Sequence, residues 1–143
     1  LEQTYMMIKP EIVAAETQQV GAILAHVQRA GFRIRNLALK SLSRATVEEF
    51  YAVHRERPFF PELVDYIASG PVVAIHLERD QAVVKLRELV GSTNPRDAAC
   101  GTLRDLYGAS LSQNAVHASD SPENALREIG IVFGEGRGQG RAS

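Results

Sequence analysis

Apolar residues along the chain recur at two different periods, and the places where the period changes divide it into elements. Residues 4–9 (TYMMIK) are rich in β-formers and stop at Pro10, which predicts a strand running into a loop. Over residues 18–30, Val20, Ile23, Leu24 and Val27 lie at helical spacing, and Gly31 follows as a residue suited to the left-handed turn that ends a helix. Residues 32–42 alternate loosely through Ile34, Leu37 and Leu39 and read as a second strand. Residues 43–54 open with Ser43 and place Val47, Phe50 and Tyr51 on one face of a helix, with another helix over residues 61–68. After Ser69, Gly70 and Pro71, residues 72–77 (VVAIHL) form an apolar run of strand length. Residues 80–90 are helical up to Gly91, and residues 92–101 read as a loop. A short extended piece at 115–117 leads into a helix over 122–133, with Asp120 or Ser121 as its cap and Pro122 at its first position.

The order is strand, helix, strand, helices, strand, helix, short strand, helix. Four strands with unevenly spaced helices suit an α+β, ferredoxin-like four-stranded antiparallel sheet with covering helices better than a doubly wound sheet. No repeat and no linker-like break precedes Gly134, so residues 1–133 read as one domain. Residues 134–143 (GEGRGQGRAS) read as a disordered tail, because so little apolar surface cannot offset the entropy of ordering the chain. RNA binding through Arg137 and Arg141 is the competing reading of that tail.

Composition narrows the classes. Hydrophobic residues at 45% and charged residues at 23% are ordinary for a globule, and no apolar run approaches the roughly 20 residues of a membrane-spanning helix. The first ten residues lack a basic segment followed by a long apolar stretch, so a cytoplasmic location is expected. Lys plus Arg number 16 against 17 for Asp plus Glu, so no global field favours nucleic acid or anionic lipid, and any bound anion must be held by a local cluster. The one cysteine, Cys100, offers neither an intrachain disulfide nor a zinc cluster, and no protein metal-ligand set is expected. Neither G-x-x-x-x-G-K-[ST] nor G-x-G-x-x-G occurs, so a phosphate site would have to be built from side chains.

Three residues stand out against the pattern. Arg87 lies on or beside the apolar stripe of its helix, where its stem either covers the core with the head in water or turns inward to a partner. Glu128 falls next to the face of Ala125, Ile129 and Val132, and a carboxylate at a core edge wants a hydrogen-bond partner. His117 precedes that same helix and is followed by Ser119, Asp120 and Ser121, which serve as a helix cap and also mark a place where negative charge is tolerated. His26, His54 and His76 are followed by no such run of capping residues and read as ordinary structural histidines.

The stretch Asn114-Ala115-Val116-His117-Ala118-Ser119-Asp120-Ser121 resembles the signature of the nucleoside diphosphate kinases. Five further blocks resemble that family in order and spacing: Met7-Ile8-Lys9-Pro10, Tyr51 with Arg57-Pro58-Phe59-Phe60, Ser69-Gly70-Pro71-Val72, Gly91-Ser92-Thr93-Asn94-Pro95 and Gly101-Thr102-Leu103-Arg104. The resemblance implies a ping-pong transfer of the terminal phosphate of a nucleoside triphosphate to a diphosphate through phosphohistidine at His117. It implies Lys9, Tyr51, Arg87, Thr93, Arg104 and Asn114 as phosphate and ribose contacts, with Lys9 and Tyr51 also in the catalytic set. Ser119 and Glu128 would position the histidine, and Phe59, with Leu63 and Leu111 beside it, would receive the base. It further implies Mg2+ carried mainly by the nucleotide phosphates, and a hexamer or tetramer. Glu11 stands where the family usually has Asp, Leu106 where a polar residue is common, and Ala118 where Gly is usual, so a positive φ at Ala118 would be strained. A catalytically silent relative is the other reading. It would be expected to lack His117, Lys9 or Arg104, and all three are present.

Overall fold

The computed structural model describes residues 1–134. In chain order the elements are β1 (Glu2–Ile8), α1 (Pro10–Ala14), α2 (Val20–Arg29), β2 (Arg33–Lys40), α3 (Arg44–Phe50), α4 (Phe60–Ile67), β3 (Val72–Arg79), α5 (Ala82–Val90), α6 (Leu103–Tyr107), β4 (Val116–Ala118) and α7 (Pro122–Phe133), with 3-10 turns at Ala52–His54 and Pro95–Asp97. All strand pairings are antiparallel and the order across the sheet is β2-β3-β1-β4, the ferredoxin-like arrangement.

β1 is buried continuously from Thr4 to Ile8 because helices cover both faces of the sheet. Met6 and Ile8 point to one face, against Ile23 and Val27 of α2 and Leu86 and Val90 of α5. Tyr5 and Met7 point to the other, against Val47 and Phe50 of α3, Val64 and Ile67 of α4, and Ile129 and Val132 of α7. β3 divides the same way, Val73, Ile75 and Leu77 against Val72 and Ala74. Each fully buried Val, Leu, Ile, Phe or Met among them contributes about 1.5–3 kcal/mol, so the two strands between two helical layers anchor the domain.

Several expectations are corrected at element ends. Pro10 does not end β1 in a loop; it starts the five-residue α1, since proline is tolerated in a helix's first turn, and Ile12 of that turn is buried. α6, over a stretch where the sequence pattern predicts nothing, is also five residues long and is started by Thr102, whose hydroxyl accepts from Asp105 N. The helix predicted over 18–30 begins only at Val20, because Gln18 has φ +57°, and the helix predicted over 43–54 breaks after Phe50 into the 3-10 turn. The short strand lies one residue later than 115–117, because Ala115 has φ +78° and is not extended. α7 spans 122–133 as expected, with Ser121 Oγ accepting from Asn124 N at 3.1 Å. The expectation of a disordered tail concerns residues that, beyond Gly134, lie outside those described.

Candidate active site

β4 decides where His117 points. Val116 and Ala118 pack in the α2/α5 layer, so the residue between them faces the α3/α7 layer, opposite Met7 in register. There its ring meets Phe50 at 5.1 Å, Tyr5 at 6.0 Å and Tyr51 at 6.1 Å between centroids. Its Nε2 lies 2.9 Å from Glu128 Oε1, and Ser119 Oγ donates to the same oxygen at 2.7 Å. A carboxylate only accepts, so Nε2 is the donor of this contact, and in the neutral ring the lone pair then lies on Nδ1. Nδ1 has no hydrogen-bond partner among the described residues, and the side chain is 19% exposed. Glu128, 6% exposed, therefore has the partners its place at the core edge requires.

β4 is also an edge strand, and its unpaired side collects cations. Ser119 N donates to Tyr5 O at 3.1 Å, so positions 117 and 119 turn to β1 while the carbonyls of Val116 and Ala118 face away. Arg104 Nη2 donates to Val116 O at 2.9 Å and Arg87 Nη1 to Ala118 O at 3.3 Å. Lys9 Nζ donates to Asn114 Oδ1 at 2.7 Å, and Asn114 Nδ2 to Thr93 O at 2.9 Å. Arg104 reaches back to Gly91 O at 3.1 Å. Gly91 has φ +93°, and a Cβ there would stand 2.6 Å from Thr102 Oγ1, so the turn leaving α5 can approach the start of α6 only as glycine.

These cations are held at a cost. Burial, with Arg104 nearby, lowers the Lys9 pKa to about 8 against the opposing pull of Glu11, and burial plus the neighbouring Arg87 lowers that of Arg104 to about 10. Arg104 Nε is buried with no partner among the described residues. Burial, reinforced by the Glu128 charge, raises the Tyr51 pKa, so its hydroxyl stays protonated.

The structure thus brings His117, Glu128, Ser119 and Tyr51 together, and sets Lys9, Asn114, Thr93, Arg87 and Arg104 along the same strand and its entry. Arg87 is not turned inward: it is exposed, Leu86 takes the buried place beside it, and only the guanidinium tip reaches β4. No positive φ occurs at Ala118; the strained backbone lies at Ala115. Phe59 is 47% exposed at the start of α4 with Leu63 half-buried behind it, and Leu111 lies exposed on the loop before β4. His54, unremarkable in sequence, links these parts, its ring stacked on Tyr51 at 6.4 Å and tilted against Phe59 at 5.4 Å. Only the turn after α3, which the helical pattern hides, exposes that link. A surface groove lined by Lys40, Leu42, Thr46 and Phe133 contains none of these residues.

A largely buried imidazole oriented by a carboxylate, with cations along the same strand, has the make-up of a nucleophilic group-transfer site for an anionic substrate. Comparison with known proteins specifies the class. The family model described as nucleoside diphosphate kinase matches residues 2–137. The nucleoside diphosphate kinase of Chlamydia felis is 51% identical over 133 residues, covering 93% of each chain, and that of Persephonella marina is 44% identical over 93% of this chain and 94% of its own. Among solved structures, the Aquifex aeolicus nucleoside diphosphate kinase superposes with a TM-score of 0.88 at 41% identity, covering 92% of this chain and 94% of that one. The enzyme from Encephalitozoon cuniculi gives 0.90 at 33%, covering 94% and 90%. The chain belongs to the nucleoside diphosphate kinase family, phosphotransferases that pass the terminal phosphate of a nucleoside triphosphate to a nucleoside diphosphate.

Proposed function

We propose that His117 carries the phosphate. Its Nδ1 lone pair attacks the terminal phosphorus of the triphosphate, the bond to the bridging oxygen breaks, and the diphosphate leaves with that electron pair. An incoming diphosphate then attacks the phosphoimidazole through a terminal oxygen, and the N–P bond breaks to restore His117. Glu128, itself held by Ser119, fixes the tautomer and offsets positive charge on the ring during each step. Phosphoryl transfer needs alignment and positive charge more than covalent help, and Lys9, Arg104 and Arg87 supply that charge, with Thr93 and Asn114 completing the phosphate and ribose contacts and the Tyr51 hydroxyl beside them as a neutral donor. Phe59 stacks on the base with Leu63 and Leu111 beside it, and an aromatic face accepts any base.

Magnesium enters with the substrate, held chiefly by the nucleotide phosphates. What supports this is the donor set: among the described residues no three His, Cys, Asp or Glu side chains form a group fit for a metal ion. We also propose a cytoplasmic enzyme that assembles as a hexamer or tetramer. Among the described residues no helix is long and apolar enough to cross a membrane, and the edge strand β2 carries Leu37 and Leu39 exposed, which favours self-association.

The observation that carries the reading is the His117–Glu128–Ser119 geometry, with Nδ1 unengaged among the described residues. Incubation with ATP labelled at its terminal phosphate is expected to label the enzyme before any acceptor is added. The label should be lost in acid, survive alkali, and leave when unlabelled diphosphate is supplied. His117→Ala is expected to abolish labelling, and His26→Ala and His76→Ala to keep it. Full labelling of a folded His117→Ala variant would overturn the assignment.

A further inference from the structure

The strand that presents His117 is entered through an unusual turn. Val116 N donates to Asn114 O at 3.0 Å, and Ala115 between them sits at φ +78°, which makes this a γ-turn of the rare, strained hand. Alanine has no intrinsic reason to hold that conformation, so something around it must. Two groups do. Lys9 N donates to Ala115 O at 2.9 Å, and Ala115 N donates to Glu11 Oε2 at 3.0 Å. The other Glu11 oxygen accepts from the Tyr66 hydroxyl of α4, so both carboxylate oxygens are engaged, one on the turn and one on an anchor.

We propose that Glu11 is a positioning residue for phosphoryl transfer, clamping Ala115 in its strained turn so that Asn114 meets Lys9 on one side and His117 meets Glu128 on the other. The inference rests on the reading of His117 as the phosphate carrier. The turn has a functional residue at each end: Asn114 begins it and accepts from Lys9 Nζ, and His117 follows Val116, which closes it. If Ala115 relaxed to negative φ, the chain would leave Asn114 in a different direction, and one of the two contacts would be lost. A small displacement at such a site is expensive in rate, because transfer depends on the reacting atoms being aligned. The same carboxylate faces Lys9 from α1 while Arg104 faces it from α6. Glu11 therefore also opposes the loss of the lysine proton that burial and Arg104 favour. Tyr66, half-buried on α4, would then belong to the catalytic apparatus at one remove, although neither it nor Glu11 touches the transferred phosphate in this scheme.

The test is rapid-quench labelling of the full chain by saturating ATP labelled at the terminal phosphate, in two backgrounds. In the parent, Glu11→Ala is expected to slow labelling of His117 about tenfold or more, and Glu11→Asp, which keeps the acceptor and charge, to recover most of that loss. In an Ala115→Gly background the same Glu11→Ala change is expected to cost threefold or less, because glycine takes positive φ without a clamp. An undiminished parent rate, or an equal loss in both backgrounds, would overturn the proposal, the second because it would mean that Glu11 acts by some route other than the Ala115 turn. Should Glu11→Ala not fold, Tyr66→Phe removes one hydroxyl and is expected to slow labelling about threefold in the parent alone; no slowing would overturn the proposal equally. Wild-type enzyme that takes up no label would instead refute the phosphohistidine reading, which keeps the two failures apart.

Discussion

Lys9 carries its charge in a place unfavourable to it, 8% exposed and close to Arg104, and this gives the site a pH limit. With a folded pKa of about 8, lowered from 10.5, the free enzyme holds the ammonium below that pH and loses it above. A neutral amine no longer offsets phosphate charge. The ratio kcat/KM, which reports ionisations of the free enzyme, is therefore expected to fall as pH rises through about 8, by up to tenfold per unit. Stopped-flow measurement between about pH 6.5 and 9.5 checks this, and a profile flat to the upper end would remove the Lys9 charge from the step. At this scale the sequence was informative but not equally so. The polar intruders Arg87 and Glu128 look alike as charges beside an apolar stripe, yet Glu128 is buried against His117 while Arg87 is exposed. A long flexible side chain on the edge of a helical face can follow either course, and only the neighbouring element decides which. Glu11 shows the opposite limit: its role depends on Ala115, 104 positions away, which no local pattern connects to it.

Elements bring the site together chiefly through their ends. Arg104 is aimed by the junction of α5 and α6, where Gly91 accepts from its guanidinium and leaves room for Thr102. Gly91→Ala would force a side chain into positive φ and against a hydroxyl 2.6 Å away. It is expected to lower stability by about 1–3 kcal/mol, read as a shift of the urea midpoint. It should also weaken nucleotide binding by misdirecting Arg104. A midpoint and affinity equal to the parent would show the junction to be slack. The long, strongly periodic elements were legible, and α7 falls at the residues its pattern predicts. α1 and α6 were not, since five residues complete little more than one turn and leave no period to detect. Both nevertheless matter to the site, α1 by carrying Glu11 and α6 by carrying Arg104.

At the scale of the whole molecule, two helical layers bury both faces of the sheet, while the two edge strands fare differently. β4 has its outward carbonyls bonded by Arg104 and Arg87, whereas β2, at the other edge, exposes Leu37 and Leu39. Assembly of the 15.7 kDa chain is therefore expected, and light scattering should return four or six times that mass. A monomer at micromolar concentration would contradict it. The sequence by itself determined the alternation of strands and helices, the α+β class, and the residue types available for handling phosphate. These follow from periodicity, punctuation and motif spacing, which are local properties. Only the tertiary structure decided which of those residues meet: the tautomer of His117 set by Glu128, the cations bonded to an open strand edge, and the strained turn clamped from α1. Such contacts join positions distant in sequence, and their geometry follows from how the layers pack around β1 and β4, which no single segment specifies.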